Sequence, residues 1–101
     1  MTEVYSQQNQ SLNSFIEHLQ GHLSDNRQHV IIEFNAEQEF NANEIEQLET
    51  IEKRIRSNNL SFVVVSLKLD YDSSDALTVV PSADEAYDLI SFEEMQRDLL
   101  A

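Results

Sequence analysis

Few side chains in this chain have the type and spacing that chemistry requires. His18 and His22 stand four residues apart, a spacing that puts two imidazoles on one metal ion when the segment is helical. A zinc site needs a third protein ligand. No HExxH-type pattern supplies one, so both read as ordinary residues flanking an apolar stripe, with His29 opening the next strand. Asp70, Asp72 and Asp75 resemble the start of a calcium loop. Such a loop starting at Asp70 needs glycine at its sixth position and glutamate at its twelfth. Asp75 and Pro81 stand there instead, so the segment reads as a solvated turn. Ser73 and Ser74 in that turn are candidate phosphoacceptors.

Glu44, Glu46, Glu49 and Glu52 offer either a docking face or paired carboxylates. Glu49 precedes Lys53 by four residues and Glu52 precedes Arg56 by four, the usual pattern of a solvated helix surface. Catalytic carboxylates need surroundings that push their pKa values apart, and nothing in the sequence indicates such surroundings. Lys53, Arg54 and Arg56 form the main basic cluster and sit where cations favour a helix C-terminus. No serine–histidine–acid set assembles, so no catalytic residue, cofactor or metal ligand is assigned.

Composition narrows the classes further. Cysteine is absent, which excludes disulfides, thiolate metal sites and thiol catalysis. Gly21 is the single glycine, too few for a phosphate-cradling loop. Six basic residues against 19 acidic ones give a net charge of −13 over 101 residues. That field repels phosphate backbones, so direct nucleic-acid binding is not expected. The longest apolar run, Phe62 to Val65, is far short of the roughly 20 residues that span a bilayer. No membrane contact and a cytoplasmic location are the expectation.

The elements that must position these residues follow from periodicity. Leu12, Phe15, Ile16, Leu19 and Leu23 recur at helical spacing and predict a helix over roughly 10–24. His29 to Phe34 is a β-branched run suited to a strand buried on both faces. Asn41 and Glu44 form a capping box, flanked by Phe40 and Ile45 as a hydrophobic staple. That box opens a helix whose buried stripe is Ile45, Leu48, Ile51 and Ile55, and which ends at Asn58-Asn59. Leu60 to Leu69 and Leu77 to Val80 predict two more strands.

Ser82 with Glu85 and Ser91 with Glu94 read as two further capping boxes. Ala83, Ala86, Tyr87 and Ile90 share one helical face, while Phe92, Met95 and Leu99 fall nearly opposite. A straight helix cannot bury both stripes against one sheet, so a break near Ser91 is predicted. The fold class is therefore α/β: a small, mostly parallel sheet of three to four strands with helices packed on it. It forms one domain over 1–101, with residues 1–9 partly mobile or a short edge strand.

The element order resembles the STAS domain, the fold of bacterial anti-sigma-factor antagonists. The closer likeness is to short STAS-like proteins of Bacteroidetes type, which carry V-P-[ST]-x-x-E-A-x-D-x-I and E-E-x-x-R-D-L stretches. Here these read Val80-Pro81-Ser82-Ala83-Asp84-Glu85-Ala86-Tyr87-Asp88-Leu89-Ile90 and Glu93-Glu94-Met95-Gln96-Arg97-Asp98-Leu99. The resemblance implies a non-enzymatic, regulatory protein–protein interaction module. The family's phosphorylatable D-S-S-G-L-like turn corresponds to Asn41-Ala42-Asn43-Glu44-Ile45, so the phospho-switch is missing.

By that resemblance the partner surface lies at Asn41, Asn43 and Glu44. A second candidate is the Phe92, Met95 and Leu99 face, which docks on its own sheet, on a second copy to give a homodimer, or on another protein. Some relatives carry a label taken from the tRNA 3′-processing ribonuclease, whose His-x-His-x-Asp-His motif is missing here. A role as accessory factor to an RNA-processing enzyme therefore remains only as an alternative, beside small-ligand or metal binding.

Overall fold

A computed structural model describes residues 2–23, 27–69 and 76–100. The candidate residues Asp70, Asp72, Ser73, Ser74 and Asp75 lie outside them. Seven elements follow one another: β1 (Thr2–Ser6), α1 (Leu12–His22), β2 (His29–Glu33), α2 (Ala42–Arg56), β3 (Phe62–Val65), β4 (Val79–Val80) and α3 (Ala83–Leu100). The four strands form one sheet in the order β1-β2-β3-β4, every neighbouring pair parallel.

Chain order and sheet order coincide, and this fixes where the helices go. Right-handed crossovers that step in one direction across a sheet leave their helices on one face. So α1 and α2 share a face with Tyr5, Val30, Ile32, Phe62 and Val64. The opposite face, carrying Ile31, Val63 and Val65, is covered by α3 through Ala86, Ile90 and Leu89. Because β2 and β3 are buried on both sides, their centres, Val30–Ile32 and Phe62–Val65, are unbroken apolar runs rather than alternating ones.

Local chemistry sets the boundaries. Ser11 caps α1, its hydroxyl accepting from the Ser14 amide. Asn41 and Glu44 make both halves of the capping box that starts α2, each bond 2.8 Å long. After α2 the chain turns at Asn59, whose φ is 63°, the left-handed role asparagine tolerates. β3 stops because the Ser66 hydroxyl accepts from the Lys68 and Leu69 amides and turns the chain away.

Of the two readings of residues 1–9, the structure shows the short edge strand, pairing with β2 from Thr2↔His29 to Ser6↔Glu33. Other expectations need correction. The two later strands are shorter than the apolar runs that suggested them. The break near Ser91 does not occur: α3 runs unbroken from Ala83 to Leu100. The argument for a break assumed that both apolar stripes must be buried. Only Ala86 and Ile90 of the first stripe are buried; Tyr87 is exposed and the second stripe is left in water, so a straight helix suffices. Ser91 and Glu94 therefore lie inside a helix and cap nothing. Ser82 does cap α3, its hydroxyl accepting from the Glu85 amide at 3.3 Å.

One local prediction concerns Tyr5, whose hydroxyl donates to the Glu3 carboxylate. Burial, the hydrogen bond and the Glu3 charge together push its phenol up to about 12. A phenol whose pKa is raised on folding adds stability below the ordinary value near 10, lost as pH climbs through the folded value. Unfolding midpoints should thus fall more steeply above about pH 10 in the parent than in Tyr5→Phe. Parallel slopes would show that the Glu3 contact does not hold in solution.

Candidate interaction surface

The first half of α3 lies on the sheet and its far end leaves it. Ala86 and Ile90 are buried against Ile31, Val63 and Val65. About one turn past Ile90, Glu93 and Glu94 reach the amino ends of the strands and are fastened there. The Arg56 guanidinium donates from Nη1 to Glu93 at 3.2 Å, and the Ser61 hydroxyl donates to the same Glu93 oxygen. His29 accepts the Ser61 amide on Nδ1 at 2.9 Å and meets Glu94 through Nε2 at 2.6 Å. With Nδ1 accepting, the neutral ring carries its proton on Nε2 and donates it to Glu94.

Arg56 ties this anchor to α2. Its Nε donates to Glu52 at 2.8 Å, and its Nη2 to the Phe62 carbonyl at 3.2 Å and the Thr78 hydroxyl at 3.0 Å. Glu52 is 4% exposed and also accepts the Thr78 amide and hydroxyl, each at 2.9 Å. Burial works against the Arg56 charge. The bonds and charges of Glu52 and Glu93 outweigh it, so Arg56 holds its proton more firmly than an ordinary arginine.

This corrects the reading of Glu52 and Arg56 as a solvated surface pair. The overlooked signal is angular: at about 100° per residue Glu52 falls between Leu48 and Ile45, inside the apolar stripe. The network has the composition of an active site and the wrong address. In open α/β sheets ligands sit beyond the carboxyl ends of the strands, where strand order reverses. This network lies at the amino ends, in a sheet without reversal, with its acids and bases spent on one another. It is scaffolding.

The carboxyl ends carry another set of structural bonds. Gln7, 1% exposed, donates to the Gln10 carbonyl and to Gln38 and accepts the Asn35 amide. These amide bonds sew the β1–α1 and β2–α2 turns together. The Lys68–Glu37 pair nearby, at 3.9 Å and largely exposed, contributes little.

The histidines do not converge. His18 and His22 stack on α1 with ring centroids 4.3 Å apart, whereas His29 faces α3 across the sheet. Among the described residues no group of three or more ligand-type side chains could hold a metal ion. Nor, among them, is any helix long and apolar enough to cross a membrane.

The two candidate partner surfaces differ. At the start of α2, Asn41 and Glu44 are committed to each other's backbone, and Asn43 is exposed beside them. On α3, Phe92, Met95 and Leu99 are 55%, 63% and 83% exposed, and they follow one another along one side of the helix at spacings of three and four. Leu100 is exposed beside them. Lone exposed apolar residues are ordinary; a contiguous row is the pattern that marks an interaction site. Comparison with protein-family models, curated proteins and solved structures finds no match for this chain.

Proposed function

We propose that this chain is a non-enzymatic protein–protein interaction module, STAS-like in architecture and without a phospho-switch, that engages its partner through the outer face of α3. The observation that carries this reading is the exposed row Phe92, Met95, Leu99 on a helix whose inner face is fixed to the sheet. Preorganisation supports it. With Ala86 and Ile90 buried, and Glu93 and Glu94 bound to Arg56, Ser61 and His29, a partner need not order the helix and the association avoids that entropic cost. The α2 N-terminus is the weaker candidate, since capping already occupies Asn41 and Glu44.

The test is affinity capture of the tagged chain from its native lysate, comparing parent, Phe92→Asp/Met95→Asp and Asn43→Asp. A stoichiometric protein retained by the parent and by Asn43→Asp, and lost from the α3 double variant, is the expected result. All three substituted side chains are exposed, so melting temperatures should stay together. Loss from Asn43→Asp alone would move the site to α2. Equal capture by all three would remove both surfaces.

A further inference from the structure

We propose that the occupant of the α3 outer face is a basic amphipathic helix, its apolar stripe lying along Phe92, Met95 and Leu99 with lysines or arginines beside it. The inference rests on the interaction-module reading and adds the chemistry of the partner.

Charge carries it. The outer side of α3 bears Asp84, Glu85 and Asp88, with Asp98 exposed on its flank, while Glu94 is tied to His29 and Arg97, its one basic residue, is half-buried. Asp84, Glu85 and Asp88 occupy the outer side in the two turns before Phe92, and Asp98 borders Leu99. A partner running along the row therefore meets an apolar strip with acidic ground at both ends. Its complement is a helix with i, i+3, i+4, i+7 apolar anchors and cationic flanks.

The same charges argue against other occupants. A second copy would place acid against acid, on two chains each carrying −13, and like charges facing across an interface oppose association. The anionic surface of a membrane is repelled in the same way.

Three helical peptides of one apolar pattern test this, with flanking positions all lysine, all glutamine or all glutamate. Titrated against the full chain at low salt, the lysine peptide should bind at least about tenfold tighter than the glutamine peptide, and the glutamate peptide weakest. Raising salt from about 0.05 to 0.5 M should erase most of the lysine advantage as the screening length shrinks. Phe92→Asp/Met95→Asp should abolish binding. Asp84→Lys/Asp88→Lys, on exposed positions of a retained helix, should shift the preference toward the glutamate peptide.

Equal affinities for the three peptides, or no binding by any, would overturn the inference. So would self-association of the parent that Met95→Asp abolishes, or adsorption of the parent to anionic vesicles. If lysate capture still depends on Phe92 and Met95 while the lysine preference is missing, the module reading stands and only the basic partner falls. Loss of both removes the α3 face altogether.

Discussion

Arg56→Met is expected to destabilise the chain by about 3 kcal/mol, the lower end of the range for removing one partner of a buried ion pair. The substitution keeps most of the stem's volume and removes the charge. Glu52, 4% exposed, is then left with only the Thr78 amide and hydroxyl as partners. Glu93 loses its link to α2. In a domain of this length such a loss lowers Tm by roughly 12 °C or more. Arg56→Lys should recover only part, because one ammonium cannot span Glu52, Glu93, Thr78 and the Phe62 carbonyl at once.

The double variant Arg56→Met/Glu52→Leu sharpens the prediction. Removing both charges leaves no orphan carboxylate, so its destabilisation should be well below the sum of the two singles, with coupling above about 1 kcal/mol. A shift below about 0.5 kcal/mol for Arg56→Met would mean that the pair is solvated and anchors nothing.

The second large effect is expected for Ile90→Asp. Ile90 is buried against Ile31, Val63 and Val65, and α3 is the helix covering that face. A carboxylate there has no cation among its apolar neighbours, and the lost burial of isoleucine adds about 2 kcal/mol more. Set against a total stability of about 5–15 kcal/mol, this should release α3 and expose the face beneath it. Amide exchange over 83–100 should become fast, and a dye such as ANS should bind. Phe92→Asp, two residues along the same helix, should do neither. If Ile90→Asp and Phe92→Asp behave alike, the two faces of α3 have been assigned wrongly.

That contrast also says what was legible in the sequence. The element order, the sheet and the α2 capping box follow from local pattern: period 3.6 in Leu12–Leu23, β-branched runs in β2 and β3, Asn41 with Glu44. The two stripes of α3 were equally legible, but their consequence was not. Whether Phe92, Met95 and Leu99 are buried depends on how much sheet lies beneath the helix, which is a tertiary quantity. Residues 1–9 read equally as mobile or as a short edge strand because TEVYS holds only two apolar residues; the strand's order comes from five-residue pairing with β2.

The anchor was hidden for a related reason. The angle of Glu52 puts it in the apolar stripe, but an i,i+4 Glu52–Arg56 pair does not say in sequence that its partners are the amino ends of two strands. Thr78 and Glu93 come to it from distant points of the chain, and Ser61 from the turn after α2, each unremarkable alone. The candidate surface was thus readable as a row of residues, and its rigidity only from the fold.

The most direct test of the central claim is photo-crosslinking from two sites in the intact chain. One photoreactive side chain replaces Met95 and another replaces Asn43, each irradiated in native lysate. The account predicts that the probe at position 95 attaches to a second protein, through a segment rich in lysine or arginine with helical apolar spacing, and that the probe at position 43 does not. A crosslink to another protein from position 43 and none from position 95 would contradict it.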